Sequence, residues 1–166
     1  GIGIWNDYPV AHINLNISYN LFIQRDYPQT PVSLPLAINI DNASGAGSFS
    51  DIRIYNNSVY GENDNANGFS FRKCSNVDFK NNIIQLKTAY IVGVLEGASA
   101  TSDYNIFKSG MSKPFSTGTA VTLSQWQALG YDGHSKEADP KFTDPGNKNL
   151  ALNSDSPAID AGQGLG

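Results

Sequence analysis

The first candidates for chemistry in this sequence are an indole, carboxylates and a guanidinium that share one side of short alternating runs. In "GIGIW", "AINID" and "GFSFR" the alternate apolar residues predict an inward face, so that Trp5, Asp41 and Arg72 point outward. An indole ring stacks on the apolar face of a pyranose, a carboxylate moves protons, and a guanidinium binds a carboxylate. Asp7 supplies a second carboxylate for a paired acid and base. These side chains together suit a sugar site.

The elements that must position these side chains recur along the chain. A second family of runs, "INLNISYNLFI", "IRIYNNSVY", "VDFKNNIIQL" and "SDYNIF", follows the first family in fixed order. Their central asparagines are spaced by 37, 25 and 23 residues. Each run alternates with period two, as strands do, and 23 residues are too few for a helix pair. The pattern predicts short strands joined by turns and stacked as one repeating unit.

The recurring asparagines mark one turn of this unit. We expect Asn20, Asn57, Asn82 and Asn105 to stack in one column, with side-chain amides hydrogen-bonded between neighbouring repeats. Asparagine also tolerates a left-handed backbone, which a tight bend between two strands requires. The long intervals then come from loops inserted in the first two repeats.

Composition excludes several classes of protein. The chain has 166 residues, enough for one domain with a core, and its 15 acidic and 11 basic residues give a net charge of -4. This balance argues against a nucleic-acid surface, which needs a basic patch. No apolar run approaches the length of a membrane span. The single cysteine, Cys74, excludes an internal disulfide, and we expect it to be a small buried side chain.

The repeat resembles the right-handed parallel β-helix of pectate-lyase-like proteins and many sugar hydrolases. The tail "WQALGYDGHSKEADPKFTDPGNKNLALNSDSPAIDAG" resembles the C-terminal closing segment of bacterial secreted β-helix proteins. The resemblance implies an all-β, right-handed parallel β-helix solenoid of about four coils, with a C-terminal capping segment that contains one short helix. We expect the coils to occupy residues 1–107 and the closing segment residues 108–166, within one domain.

In proteins of this resemblance, saccharides bind along the outer face of the first strand family. Under that expectation the site is predicted as a set: Asp7, Asp41 and Arg72 as catalytic residues, and Trp5, Asn39 and Glu96 as substrate-binding residues. The alternative is that Asp41 and Arg72 form only a salt bridge between coils and that Trp5 is a partly covered loop residue. We predict either no cofactor or Ca²⁺, because the acidic loop at 61–67 offers oxygen ligands but lacks the spacing of an EF-hand.

The tail is expected to close one end of the solenoid. "TLSQWQALG" predicts a short helix with a capping box from Thr122 to Gln125 and a stop at Gly130. We expect Trp126 and Leu129 to cover the last coil, and "NLALN" to add a strand to it. Asp132 and His134 are interpreted as structural.

The opposite end carries no such segment in this sequence. We expect its open strand edges to be covered by preceding coils of a longer protein or by another chain. The resemblance implies a secreted or cell-surface bacterial protein, either a glycoside hydrolase or a polysaccharide lyase. The alternative function is a non-catalytic module for glycan binding or surface display. Nucleic-acid partners are not expected.

Overall fold

Short strands dominate the fold. The computed structural model describes residues 2–5, 14–24, 36–42, 49–62, 67–87 and 90–165. In chain order the elements are β1 (Ile2–Trp5), β2 (Leu15–Ser18), β3 (Leu21–Gln24), β4 (Leu36–Asp41), β5 (Ile52–Tyr55), β6 (Ser58–Gly61), β7 (Asn67–Arg72), β8 (Val77–Lys80), β9 (Ile83–Leu86), β10 (Val92–Val94), β11 (Ala100–Asp103), β12 (Ile106–Ser109), β13 (Phe115–Ser116), β14 (Ala120–Val121), α1 (Leu123–Ala128), β15 (Lys136–Glu137), β16 (Phe142–Asp144), a 3₁₀ turn (Pro145–Asn147) and β17 (Asn149–Leu152). The described residues are thus mostly β, with one short α-helix.

The strands form three parallel sheets in which every third strand returns to the same sheet. The first sheet has the order β1-β4-β7-β10-β13, the second β2-β5-β8-β11, and the third β3-β6-β9-β12-β15. Strand β14 adds to the first sheet in the antiparallel sense. Because β13 and β15 belong to these sheets, the stacking continues beyond residue 107. This arrangement is compatible with a β-helix-like solenoid.

The core lies between the sheets and is built from the inward positions of each strand. Phe69 and Phe79 come from different sheets, and their ring centroids lie 4.7 Å apart. Burying each such side chain contributes about 1.5–3 kcal/mol. The predicted inward residues are confirmed as buried, each 2% exposed or less: Ile38, Ile40, Ile52, Ile54, Phe69, Phe71, Val77 and Phe79.

The predicted asparagine column is confirmed. Each side-chain amide donates to the side-chain oxygen of the next member, over 3.1 Å from Asn20 to Asn57, 2.9 Å from Asn57 to Asn82, and 3.1 Å from Asn82 to Asn105. Each accepting oxygen also receives the backbone N–H of the preceding member. Asn57, Asn82 and Asn105 are fully buried, so these bonds satisfy polar groups that water does not reach.

The expectation of a left-handed backbone at the ladder asparagines is wrong by one residue. The positive φ angles belong to the residues just before them, namely Tyr19 (57°), Asn56 (55°), Asn81 (57°) and Tyr104 (58°). The left-handed residue makes the bend, and the asparagine after it turns its amide into the column. This division explains why tyrosine occupies two bends, since the bend residue contributes no ladder bond.

Helix α1 closes the core at one end. Its N-terminus carries the predicted capping box between Thr122 and Gln125, and Gly130 follows with φ 94°. Trp126 is fully buried, and its ring stacks on Phe115 with centroids 5.4 Å apart. The expectation for Leu129 is wrong, because 55% of it is exposed. One indole therefore covers what two side chains were expected to cover.

The tail runs back along the outside of the solenoid. The expectation that "NLALN" adds a strand to the last coil is wrong, because β17 pairs antiparallel with β16. This hairpin packs through Phe142 and Leu150 on Tyr60, which belongs to the third sheet. No helix in the described part of the chain has both the length and the apolar character needed to cross a membrane.

Candidate functional site

The outer face of the first sheet brings part of the predicted site together. Strand register places Trp5 beside Asp41, and Asp41 beside Arg72. A neighbouring column on the same face contains only small or polar residues: Gly3, Asn39, Ser70, Gly93 and Ser116. Short side chains in one column beside long charged ones in the next produce a polar strip that crosses the strands.

Arg72 joins two of the predicted carboxylates. Its Nη1 lies 3.5 Å from Asp41 Oδ2, and its Nη2 lies 3.1 Å from Glu96 Oε2. The hydrogen bond with Glu96 and the charge of Asp41 raise the pKa of Arg72 above its usual value. Glu96 lies one residue beyond the register position of Arg72, since Lys73 N donates to Glu96 O. Its side chain reaches back from the turn to the guanidinium.

Asp41 has an unsatisfied carboxylate oxygen. Its side chain is 20% exposed, and its Oδ2 faces Arg72. Its Oδ1 is buried and has no hydrogen-bond partner. A buried acceptor without a donor costs free energy, so this oxygen is a position at which a ligand hydroxyl stabilises the protein on binding.

The remaining predicted residues are placed to different degrees. Asn39 lies on the outer strip between Gly3 and Ser70 and is half-buried. Asp7 lies outside the described residues, and for Trp5 the backbone position alone supports the prediction. Most of the acidic loop proposed for Ca²⁺, residues 63–66, also lies outside them. The described ranges contain no group of three or more His, Cys, Asp or Glu side chains that could hold a metal ion.

A buried carboxylate that reasoning from the sequence treated only as structural completes the asparagine column. Asp132 Oδ1 accepts from Asn105 Nδ2 at 2.8 Å and from Ser135 Oγ at 2.5 Å. Its Oδ2 accepts from Ser102 Oγ at 2.6 Å and from Trp126 Nε1 at 2.7 Å. Four donors therefore satisfy a fully buried carboxylate, and the role of Asp132 is to join the column to the closing helix.

His134 contacts a different carboxylate. Its Nδ1 lies 2.7 Å from Asp103 Oδ2, and its ring stacks on Tyr104 with centroids 4.7 Å apart. Burial acts to raise the pKa of Asp103, but the bonds from His134 outweigh it and lower that pKa. The imidazole is 66% exposed on a convex corner, where no cleft holds a substrate against it. This arrangement fastens the closing segment to β11.

The outer face of the second sheet carries a hydrogen-bonded network that reasoning from the sequence missed. Asp78 accepts from Tyr55 OH and from Thr101 Oγ1, and lies 3.1 Å from Lys80 Nζ. Burial acts to raise the pKa of Asp78, but the bonds from Tyr55, Lys80 and Thr101 outweigh it and lower that pKa. Burial and the bond to Asp78 raise the pKa of Tyr55 to about 12. Strand alternation in "VDFK" places Asp78 and Lys80 outward, which was the available signal.

Cys74 is the small buried side chain that was expected. It is 2% exposed, and burial raises the pKa of its thiol to about 11. A thiol with this pKa is protonated at neutral pH, so Cys74 is not a nucleophile there.

Comparisons with protein-family models, with curated proteins and with solved structures returned no match. The functional conclusions below therefore depend on the geometry of the chain and on the resemblance of its repeats.

Proposed function

We propose that this protein is a carbohydrate-active right-handed parallel β-helix of about four coils. On this proposal it binds a polysaccharide or oligosaccharide along the outer face of the first sheet. Support for the architecture comes from the three parallel sheets and from the asparagine column that links their turns. As in the proteins its repeats resemble, the chain is secreted or displayed on a bacterial cell surface.

One observation carries the choice of site. Asp41 Oδ1 is a buried acceptor without a partner, and Asp41 belongs to the strip that includes Asn39 and Ser70. A sugar hydroxyl is the donor that such an oxygen needs, and the amide and hydroxyl groups of the strip bind further hydroxyls. Because strands of one sheet are about 4.8 Å apart, a strip across several strands suits an extended saccharide chain.

Catalysis on this face is a glycoside hydrolysis or a polysaccharide elimination. In both reactions Asp41 is the candidate base, because its Oδ1 makes no other hydrogen bond. Arg72 stabilises negative charge that develops on the substrate, as positively charged donors do in other active sites. Asp7 is the proposed second carboxylate, and Trp5 the proposed stacking surface.

A second candidate function is a non-catalytic glycan-binding or surface-display module. The observation that favours it is the ion network itself. Arg72 is bound by two carboxylates, which is also the geometry of a structural link between strands. Under this candidate the strip binds sugar hydroxyls without a chemical step.

A panel of neutral and acidic polysaccharides separates these functions. We expect at least one polysaccharide to bind in affinity electrophoresis, and Asp41→Asn to weaken that binding or to abolish release of reducing ends or unsaturated products. Asp155→Asn is the matched control, since Asp155 is an exposed tail residue paired with Lys141. Binding without product formation favours the non-catalytic module. Absence of binding and of products across the panel contradicts both.

The proposal includes a partner at the open sheet edges. Strands β1, β2 and β3 each pair on one side only among the described residues. Nearby, 81% of Tyr19 and 54% of Leu21 are exposed. Preceding coils of the same protein or another chain are the proposed cover for these edges.

A further inference from the structure

A cleft on the opposite side of the solenoid is not used by the site on the first sheet. It has a volume of about 620 Å³ and lies at the ends of β6, β9 and β12 in the third sheet. This volume falls within the range of about 300–1,000 Å³ that small-molecule sites occupy. Its polar side chains are those of Tyr60, Glu62, Gln85, Lys87, Lys108 and Ser109.

The cleft is positively charged within an acidic protein. Two lysines, Lys87 and Lys108, and one carboxylate, Glu62, line it, although the whole chain has a net charge of -4. Lys108 Nζ lies 2.5 Å from Asp139 Oδ2, and both side chains are well exposed, at 40% and 51%. Exposed ion pairs of this kind are weak, so an incoming anion can replace Asp139. The present contact shows that a carboxylate fits against Lys108.

An uncommitted amide lies beside this lysine. Strand register places Gln85 between Tyr60 and Lys108 on the outer face of the third sheet. The Gln85 amide is half-buried and makes no hydrogen bond to any residue that the structure describes. It offers two donors and one acceptor to a ligand.

The remaining wall is held in place by the fold. Glu62 Oε1 accepts a hydrogen bond from Tyr60 OH, and Tyr60 packs against the tail hairpin through Phe142. The backbone beneath the cleft is tied between strands, because Lys87 N donates to Gly61 O at 2.9 Å. The carboxylate and the lysine are therefore presented from rigid elements, which favours binding.

We propose that this cleft binds an acidic sugar residue, a pyranose that carries a carboxylate. The ligand carboxylate pairs with Lys108 in place of Asp139, with Lys87 adding positive charge nearby. The ring hydroxyls donate to Glu62 and exchange hydrogen bonds with the Gln85 amide. This site is independent of the function proposed for the first sheet.

Amide chemical shifts of the ¹⁵N-labelled 166-residue chain test the proposal directly. Sodium glucuronate is titrated in parallel with glucose and with sodium sulfate at matched ionic strength. We expect glucuronate to shift the amide signals of Gly61, Gln85 and Gly110 with saturation, and glucose and sulfate to shift them far less. Equal responses to sulfate would assign the cleft to inorganic anions and overturn the proposal, as would an absence of shifts with glucuronate.

Two variants test the named groups. Lys108→Met removes the charge that receives the carboxylate, and we expect the affinity for glucuronate to fall about tenfold. Lys136→Met is the matched control, because Lys136 is exposed and lies outside the cleft. Gln85→Ala provides a second reading if the lysine variant does not fold. Glucuronate affinity that is unchanged in both cleft variants contradicts the assignment.

Discussion

Replacement of Asn82 by alanine tests the asparagine column where it is most buried. The Asn82 amide nitrogen donates to Asn105 Oδ1 at 3.1 Å, to Ile54 O at 3.0 Å and to Lys80 O at 3.0 Å. Its oxygen accepts from Asn57 N at 3.1 Å and from Asn57 Nδ2 at 2.9 Å. The alanine variant removes all of these bonds and leaves a small cavity.

The expected loss follows from the groups that remain. The backbone N–H of Asn57 loses its acceptor, and Asn105 Oδ1 loses one donor, in a region that water does not reach. Each unsatisfied buried group costs about 1–3 kcal/mol, so we expect the free energy of unfolding to fall by about 3–5 kcal/mol. Asn16→Ala is the matched control, because Asn16 is exposed on β2, and its cost stays within about 0.5 kcal/mol.

Urea unfolding followed by far-ultraviolet circular dichroism measures both variants against the unmodified chain. If Asn82→Ala lowers the free energy of unfolding no more than Asn16→Ala does, the column does not stabilise the fold and the reasoning is refuted.

Four further predictions follow from burial, titration and the open edges. Phe79→Ala removes a fully buried ring and lowers the free energy of unfolding by about 3–5 kcal/mol, and an unchanged urea midpoint would contradict the core assignment. The lowered pKa of Asp78 adds stability that is complete above its unfolded pKa of about 3.9 and is lost as pH falls towards the folded value, so Asp78→Asn flattens the acid limb of a stability profile; an unaltered limb would disprove this. Burial, followed by the bond to Glu62, raises the pKa of Tyr60 to about 12, so Tyr60→Phe removes one late step from a phenolate absorbance titration, and loss of an early step would count against it. Studied alone, the chain associates with rising concentration in sedimentation experiments and Leu21→Glu weakens this; a monomer at every concentration would exclude association through these edges.

The repeat could be predicted from the sequence because its positions obey simple periodicity. Alternation places Phe71 and Phe79 inward, and the recurring asparagines identify one turn in each repeat. The left-handed bend could not be assigned to the correct residue from this pattern. Both Asn81 and Asn82 are asparagines, and only the structure shows which one bends the backbone and which one donates into the column.

The site could be predicted only in part. Strand alternation brings Asp41 next to Arg72, and the register confirms this. The contact of Glu96 with Arg72 depends on a turn that shifts it one residue beyond the register, and alternation says nothing about turns. The burial of Asp132 was not predictable for a related reason. Beyond the last repeat, tertiary packing around Trp126 decides which polar group is enclosed.

The most direct test of the central claim is to map where a saccharide binds. An oligosaccharide of the type that binds in the polysaccharide panel is titrated into the labelled chain, and amide shifts are followed residue by residue. The account predicts that the largest shifts occur on the outer strip of the first sheet, at Asn39, Ser70 and Arg72. Shifts that leave this strip unchanged and centre on Thr101 of the second sheet would contradict it.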